Sequence, residues 1–218
     1  TAAEQIRAAG GRAVPVVGDV RSDEAIERAV RAAVDEFGGV DVCVNNASVL
    51  DLSGTMGLAP RRYDLMQDVN TRGTFMLTKA CLPELVKSSN PHVLTLSPPL
   101  NLEPRWLGAY PGYMLAKYGM TLATLGFAAE FADVPVAANC LWPRATIATD
   151  AVANLLGGGE ALARTRRPEI MADAAHAILT TPAGELSGRT LIDEDVLRAA
   201  GVADLDGYAT VPGTRDLE

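Results

Sequence analysis

A tyrosine and a lysine lie four residues apart in the segment Tyr113-Met114-Leu115-Ala116-Lys117. In a helix, two residues at this spacing lie on the same face, one turn apart. A nearby ammonium group favours the phenolate, and it would lower the tyrosine pKa from about 10 toward neutral pH. Such a phenol could give a proton to, or take one from, the oxygen of an alcohol or a carbonyl compound. A pair at this spacing can also simply lie on a solvated helix face.

Two asparagine-containing segments accompany this pair. Asn45-Asn46-Ala47 ends an apolar run that is typical of a strand, and Asn70-Thr71-Arg72-Gly73 lies within a long helical pattern. The first segment could consist only of turn-forming residues. An asparagine in the middle of a helix is unfavourable by intrinsic propensity, and its presence therefore favours a functional role for Asn70.

Length and composition limit the classes of protein to consider. The 218 residues suit one domain, 48% of them are apolar, and the formal net charge is −8. This charge argues against nucleic acid or an anionic membrane surface as a partner. No run approaches the roughly 18 apolar residues of a membrane span, and the N-terminus lacks the pattern of a secretory signal.

The cysteines and histidines do not form a metal-binding pattern. Cys43, Cys81 and Cys140 are an odd number without C-x-x-C spacing, and His92 and His176 are far apart in the sequence. We expect buried thiols, structural histidines, a reducing cytoplasmic environment and no metal site. A hydrolase with a G-x-S-x-G nucleophile turn is also excluded, because the chain contains no such motif.

Helical patterns alternate with short apolar runs along the chain. Strands are predicted at residues 13–17, 40–44, 92–96, 134–141 and 190–192. Helices are predicted at residues 1–9, 23–37, 61–87, 113–131 and 168–179, with Ser22 as the cap of the second and Pro83 as a kink or break in the third. This alternation predicts an α/β fold with a doubly wound parallel sheet that is covered on both faces.

The order and spacing of these motifs resemble the short-chain dehydrogenase/reductase family. The match begins at Asp19-Val20 and continues through Asn45-Asn46-Ala47 and Asn70 to Tyr113 and Lys117. Three further segments resemble the hydroxysteroid dehydrogenase-like type within that family, namely those at 68–74, 96–102 and 141–143. The resemblance implies a Rossmann-like domain over residues 1–218, an NAD or NADP cofactor and the transfer of hydride between this cofactor and a carbonyl or secondary alcohol.

The resemblance also implies a role for individual residues. Tyr113 would be the catalytic acid/base, Lys117 would hold the nicotinamide ribose and lower the tyrosine pKa, and Asn70 would hold a water molecule in a proton relay. Ser97 is a candidate for the catalytic serine, although the family usually places that serine one residue later, where this chain has Pro98. The alternative for Ser97 is a hydroxyl at a strand end that bonds to backbone. The implied cofactor-binding residues are Asp19, Val20, Asn45, Ala47, Tyr113, Lys117, Pro143, Ile147 and Thr149; for Asp19, the alternative is a cap of the strand end.

Two departures from the family pattern matter most. Arg144 stands where a glycine usually follows Pro143, and its guanidinium could face a cofactor phosphate, an acidic substrate or, as we expect, solvent. The family's glycine-rich turn, which seats the pyrophosphate at a helix N-terminus, does not occur in these residues. The strands that belong with that turn would lie between the strands predicted at 13–17 and 40–44. Without them, the strand at 13–17 should be displaced, pair with the strand at 40–44 or swap onto another subunit.

These observations predict an NAD(P)-dependent oxidoreductase and leave two alternatives open. The apolar stretch from 98 to 111 and the stretch after Thr149 would shape the substrate pocket, which suggests a lipidic or hydrophobic carbonyl. The resemblance implies assembly into a homodimer or homotetramer through the long helices predicted at 61–87 and 113–131. The alternatives are a catalytically silent scaffold of the same fold and a module that binds a nucleotide or acyl group without redox turnover.

Overall fold

The computed structural model describes residues 1–150, 152–153 and 160–214. Within them, four parallel strands form one sheet in the order β1-β2-β3-β4. The strands are β1 (Val42–Asn45), β2 (His92–Leu96), β3 (Ala137–Trp142) and β4 (Thr190–Ile192). The register places Cys43 beside Val93 and Leu94 beside Asn139. The predicted parallel sheet is confirmed, and all four carboxyl ends meet at one edge.

Helices connect and flank these strands. They are α1 (Ala2–Ala8), α2 (Asp23–Phe37), α3 (Pro60–Met66), α4 (Gly73–Leu85), α5 (Pro104–Leu107), α6 (Pro111–Glu130), α7 (Glu160–Ala163), α8 (Glu169–Thr180) and α9 (Asp193–Ala199). The Ser22 hydroxyl caps α2 by accepting a hydrogen bond from the Ala25 N–H at 3.2 Å, and Gly38 ends it with a φ of 91°. A short 3₁₀ turn follows at Asp206–Tyr208. None of the helices in the described ranges is long and apolar enough to span a membrane.

The core lies on both faces of the sheet. Val93 and Ala138 point to one face, where they pack with Leu85 of α4 and Phe127 of α6. The residues that alternate with them point to the other face, against α8 and α9; these are Leu94 and Leu141, packed with Ile170, Ile178 and Leu197. The doubly wound α/β architecture is therefore confirmed.

The strand predicted at residues 13–17 is not formed. This segment has no regular secondary structure, and Val14, Val16 and Val17 are 39%, 38% and 95% exposed. It does not pair with β1 either, and in the described sheet β1 is an edge strand. The prediction was wrong because an apolar pattern creates a strand only where a neighbour takes up its backbone N–H and C=O groups.

The single helix predicted at 61–87 consists of three consecutive parts. Between α3 and α4, residues Gln67–Arg72 form a π-helix that contains Asn70. Pro83 lies inside α4, which continues to Leu85, so the proline does not break the helix. The irregularity lies in the π segment instead. Short π segments within α-helices are frequent at functional sites.

Candidate active site

Tyr113 and Lys117 lie one turn apart on α6, as the sequence predicts. The Lys117 ammonium donates a hydrogen bond to the Leu96 carbonyl oxygen at 2.9 Å and lies 5.4 Å from the centre of the Trp142 ring. Only 4% of Lys117 is exposed. Lys117 is thus held against the carboxyl ends of β2 and β3. The Tyr113 hydroxyl has no hydrogen-bond partner among the described residues.

Burial changes the acidity of both side chains. It raises the pKa of Tyr113 to about 12 and lowers the pKa of Lys117 to about 8. The prediction that Lys117 lowers the tyrosine pKa is therefore wrong for this structure. Desolvation dominates the behaviour of both groups, and the ammonium is engaged by the Leu96 carbonyl and the Trp142 ring. At neutral pH Tyr113 is a protonated phenol.

Asn70 uses its side chain to fix the loop that follows β1. Its Oδ1 accepts a hydrogen bond from the Val49 N–H at 2.7 Å, and its Nδ2 donates to the Val49 carbonyl oxygen at 3.0 Å. The side chain is completely buried. Asn70 therefore positions the segment just beyond Asn45-Asn46-Ala47. A water-holding role for it remains a prediction.

The neighbours of Asn70 bring the π segment close to α6. The Thr71 hydroxyl donates to the Ala116 carbonyl oxygen at 3.1 Å. A Cβ atom at Gly119 would lie 2.6 Å from Thr71 Oγ1, so this close approach of α6 requires glycine. The π segment consequently packs against the helix that carries Tyr113 and Lys117.

The same segment also holds the start of α2. Arg72 donates to the Arg21 carbonyl oxygen at 3.0 Å and forms an ion pair with Asp23 at 2.9 Å. A Cβ atom at Gly73 would lie 2.9 Å from Val20 Cγ2, so Gly73 leaves room for Val20. The Asn70-Thr71-Arg72-Gly73 motif thus contacts three separate parts of the molecule.

Ser97 lies in the interior. It is completely buried, and its Oγ accepts a hydrogen bond from Thr121 Oγ1 at 2.9 Å. The predicted alternative, a strand-end hydroxyl bonded to backbone, has the right location, but its partner is a side chain of α6. This contact joins α6 to the end of β2.

The predicted adenosine side of the site begins at Asp19 and Val20. The Asp19 carboxylate forms an ion pair with Arg21 at 2.7 Å, and the hydrogen bonds from Arg21 lower the pKa of Asp19 to about 2. Asp19 is therefore a local partner of Arg21 here rather than a cap of a strand, since no strand precedes it.

The Asn45 side chain points into the core rather than toward a cofactor. Its Nδ2 donates to Thr78 Oγ1 at 3.0 Å and to Thr95 Oγ1 at 3.2 Å. These bonds join β1 to α4 and β2. Asn46 and Ala47 are exposed at the end of the strand. The Asn45 side chain therefore has a structural role, and the prediction that Asn45 and Ala47 line the adenosine ribose side remains a prediction.

The candidates after β3 form a continuous rim. Pro143 is half-buried directly after Trp142, Ile147 forms an isolated backbone bridge with Arg166, and the Thr149 hydroxyl accepts a hydrogen bond from the Val152 N–H at 3.3 Å. The stretch expected to shape the pocket after Thr149 lies partly outside the described residues.

Arg144, at the start of this rim, is not simply solvated as we expected. Its guanidinium donates to both Asp195 carboxylate oxygens, at 2.8 and 2.7 Å. The sequence did not indicate these acidic partners, because α9 was not predicted. The available signal was the run Asp193-Glu194-Asp195 directly after a strand, where acidic residues favour a helix start.

Comparison with known proteins decides the family. The family described as short chain dehydrogenase matches residues 1–157. The chain belongs to this family. It is 48% identical over 213 residues to hydroxysteroid dehydrogenase-like protein 2 of Danio rerio and 45% identical to the protein of that name from Homo sapiens. These matches cover 98% of this chain but about half the length of either relative, 51% and 50%.

A solved structure agrees with the family assignment. A short chain dehydrogenase from Mycobacterium thermoresistibile is 50% identical and superposes with a TM-score of 0.93, covering 100% of this chain and 78% of the other. The family resemblance and the fold predicted from the sequence are confirmed. Lys117, Ser97 and Pro143 lie at the carboxyl ends of β2 and β3, whereas Asn70 contacts the loop after β1 and Asp19 pairs with Arg21. The roles of the candidate residues remain predictions.

Proposed function

We propose that this chain carries the catalytic half of an NAD(P)-dependent oxidoreductase that interconverts a carbonyl compound and a secondary alcohol. The observation that supports this most directly is the pair Tyr113 and Lys117 on one face of α6, with Lys117 bonded to the end of β2. A buried ammonium beside a phenol that has no partner in the described chain suits proton transfer to a substrate oxygen.

In the proposed reaction, Tyr113 handles the proton of the substrate oxygen. The bound nicotinamide would supply or accept the hydride. Because burial raises the pKa of Tyr113 to about 12, the phenol holds its proton at neutral pH and is ready to donate it. In the reducing direction the carbonyl oxygen would receive this proton, and in the oxidising direction the phenolate would take it back from the alcohol.

The residues present fit the nicotinamide end of the cofactor. An ammonium group has three N–H donors, and Lys117 uses one of them on Leu96, which leaves two for ribose hydroxyls. Pro143, Ile147 and Thr149 would border the carboxamide, while Asp19, Val20 and Ala47 would border the adenosine. NAD and NADP both remain compatible with this set.

The phosphate end lacks its usual cradle in these residues. We propose that a strand-helix-strand unit with a glycine-rich turn completes the domain along the outer edge of β1. No strand lies beyond β1 in the described sheet, and Val44 of β1 is 44% exposed. Open strand edges beside apolar side chains are sites for further pairing. Residues 1–218 alone should then bind the cofactor weakly.

The substrate proposed is a hydrophobic carbonyl compound. The segment between β2 and α6, the helix that carries Tyr113, exposes apolar side chains; Leu102 is 73% and Trp106 43% exposed. The relatives' name, hydroxysteroid dehydrogenase-like protein 2, agrees with a lipidic substrate. For assembly, α4 and α6 expose Phe75, Leu115 and Leu122, which supports a homodimer or homotetramer through these helices.

A catalytically silent scaffold is the second candidate. The buried Ser97 and the proline at the usual serine position favour it. A binding module without turnover is a weaker variant of the same idea. Both differ from the enzyme in predicting no hydride transfer.

The decisive experiment measures oxidation of NADPH and NADH with a panel of hydrophobic aldehydes and ketones, at millimolar cofactor concentration. Tyr113→Phe should lower the turnover rate about 10²–10⁴-fold, because only the proton donor is lost. Tyr63→Phe, the same change at an exposed position of α3, should leave it unchanged. Full activity in Tyr113→Phe would refute the mechanism. Cofactor binding without turnover would favour the binding module. The absence of both binding and turnover would favour the scaffold.

A further inference from the structure

The N-terminus of α9 holds the backbone of the loop that follows β3. Asp193 Oδ1 accepts hydrogen bonds from the Arg144 N–H at 2.9 Å and from the Glu194 N–H at 2.8 Å. Asp193 is completely buried, and within the described chain its other carboxylate oxygen has no hydrogen-bond partner. Burying a carboxylate without hydrogen bonds costs free energy. The hydrogen bond from the Arg144 N–H therefore helps to stabilise Asp193 in the interior.

The same helix also holds the Arg144 side chain. The guanidinium bonds to both oxygens of Asp195, and its Nε lies 3.7 Å from Glu194. Glu194 in turn lies 3.7 Å from Arg166 and 3.6 Å from Arg198. Arg144 is consequently fixed at two points, one on its backbone and one on its side chain.

This anchored residue is two positions from the ring that covers Lys117. Trp142 ends β3, and its ring centre lies 5.4 Å from the Lys117 ammonium. Only Pro143 separates Trp142 from Arg144, and proline has a fixed φ near −65°. The direction of the chain at Arg144 therefore constrains the direction in which the Trp142 side chain leaves the end of β3.

We propose that Asp193 is a positioning residue that, by holding Arg144, sets the Trp142 ring and through it Lys117. The Arg144–Asp195 ion pair reinforces this arrangement. Exposed ion pairs contribute little by themselves, so the backbone contact of Asp193 carries most of the effect. The consequence for turnover rests on the proposed function, whereas the effect on Trp142 and Lys117 does not.

Tryptophan fluorescence tests the positioning without cofactor or substrate. The chain has two tryptophans, so a Trp106→Phe background leaves Trp142 as the single reporter. In this background, Asp193→Ala should shift the emission to longer wavelength and increase quenching by acrylamide. Asp193→Asn keeps a carbonyl acceptor for the Arg144 N–H and should remain close to the parent. Glu185→Ala, a change at an exposed acidic residue, is the control and should have no effect.

Two outcomes would overturn the proposal. One is a folded Asp193→Ala protein with parental emission, and the other is an equal shift in Glu185→Ala. If Asp193→Ala does not fold, as judged by circular dichroism, the ion pair provides the second test. Arg144→Asp should then shift the emission, because the new carboxylate repels Glu194 and Asp195 and so moves the backbone at position 144 away from Asp193; adding Asp195→Arg should restore the emission. Failure of this exchange to restore the emission would also refute the proposal.

A titration of Lys117 and a kinetic measurement complete the test. In Asp193→Ala the pKa of Lys117, followed by NMR of labelled lysine, should move upward as the ring cover loosens; an unchanged titration would contradict the proposal. If the parent turns over substrate, kcat should fall by up to about 10²-fold, with a smaller change in KM. A parent without turnover would count against the proposed function, while fluorescence and titration would still decide the role of Asp193.

Discussion

The two ends of the site differ in how completely this chain builds them. At the carboxyl ends of β2 and β3, Lys117 is 4% exposed and is held by Leu96 and Trp142. In the described sheet no strand lies beyond β1, and Val44 of β1 is 44% exposed. The surroundings of Lys117 are therefore packed within this chain, whereas the side of β1 where we propose that adenosine and phosphates bind is packed on one side only.

This difference separates the residues proposed for proton transfer from the contacts that would determine cofactor affinity. The positions of Tyr113 and Lys117 depend on α6, which packs against the π segment and the sheet, and none of these contacts requires a neighbour of β1. In the proposed function, cofactor affinity depends on phosphate contacts that residues 1–218 do not provide. The two properties should consequently respond to different changes, and the following predictions test whether they do.

The largest effect should be on cofactor affinity. The short chain dehydrogenase of Mycobacterium thermoresistibile, of which this chain covers 78%, is the natural comparison. Two missing charge-assisted hydrogen bonds to phosphate, at about 1.5–3 kcal/mol each, correspond to roughly 10²–10⁴-fold weaker NADPH binding by residues 1–218. Calorimetric titration of both proteins at the same salt concentration measures this difference. Equal affinities would show that the β1 side already suffices for binding.

The next effect concerns the buried charge of Lys117. Burial lowers the pKa of Lys117 from 10.5 to about 8, so the unfolded chain binds more protons than the folded chain between these values. The free energy of unfolding should therefore rise as the pH increases from about 8 to 10.5, by at most roughly 3 kcal/mol. Burial raises the pKa of Tyr113 to about 12, which would lower stability above pH 10, and a Tyr113→Phe background removes that opposing contribution.

Lys117→Met provides the matched variant for this prediction. It should be more stable than the parent at pH 7 and should lack the rise between pH 8 and 10.5, because no buried ammonium remains. Lys79→Met, a change at an exposed position of α4, should retain the rise. Urea unfolding at a series of pH values measures both. A parent without the rise would show that Lys117 is better solvated than its burial indicates.

The sequence was informative where local pattern and final environment agree. The Ser22 cap, the spacing of Tyr113 and Lys117 and the apolar run of β2 each specify their own element, and the structure contains them. The prediction of a strand at 13–17 failed because strand formation depends on a partner strand, which a local sequence pattern cannot supply. The prediction of a lowered tyrosine pKa failed because the spacing of two residues gives their proximity but not the extent of their burial. Burial determined the direction of the pKa shift.

The asparagine pair that ends β1 offers a smaller and more local test of the comparison. Asn45→Ala removes hydrogen bonds to Thr78 and Thr95 and leaves two buried hydroxyls without this partner. It should lower the free energy of unfolding by about 1–3 kcal/mol. Asn46→Ala, at the adjacent exposed position, should change it by no more than about 0.5 kcal/mol. If the two variants were equally stable, the structural role assigned to Asn45 would be wrong.

The smallest effect should come from Ser97, which the sequence suggested as a catalytic group. Its hydroxyl is completely buried and pairs with Thr121, whose Oγ1 also bonds to the Pro98 carbonyl oxygen at 2.7 Å. Ser97→Ala removes one neutral hydrogen bond while Thr121 keeps its bond to Pro98, so stability should fall by only about 0.5–1.5 kcal/mol. Turnover, in a form of the protein that binds cofactor, should change by no more than a few fold. A catalytic hydroxyl would instead cost about 10²–10⁴-fold in rate. A loss of that size with parental stability would show that Ser97 contacts the reacting atoms. The packing of α6 on β2 would then have to open during catalysis.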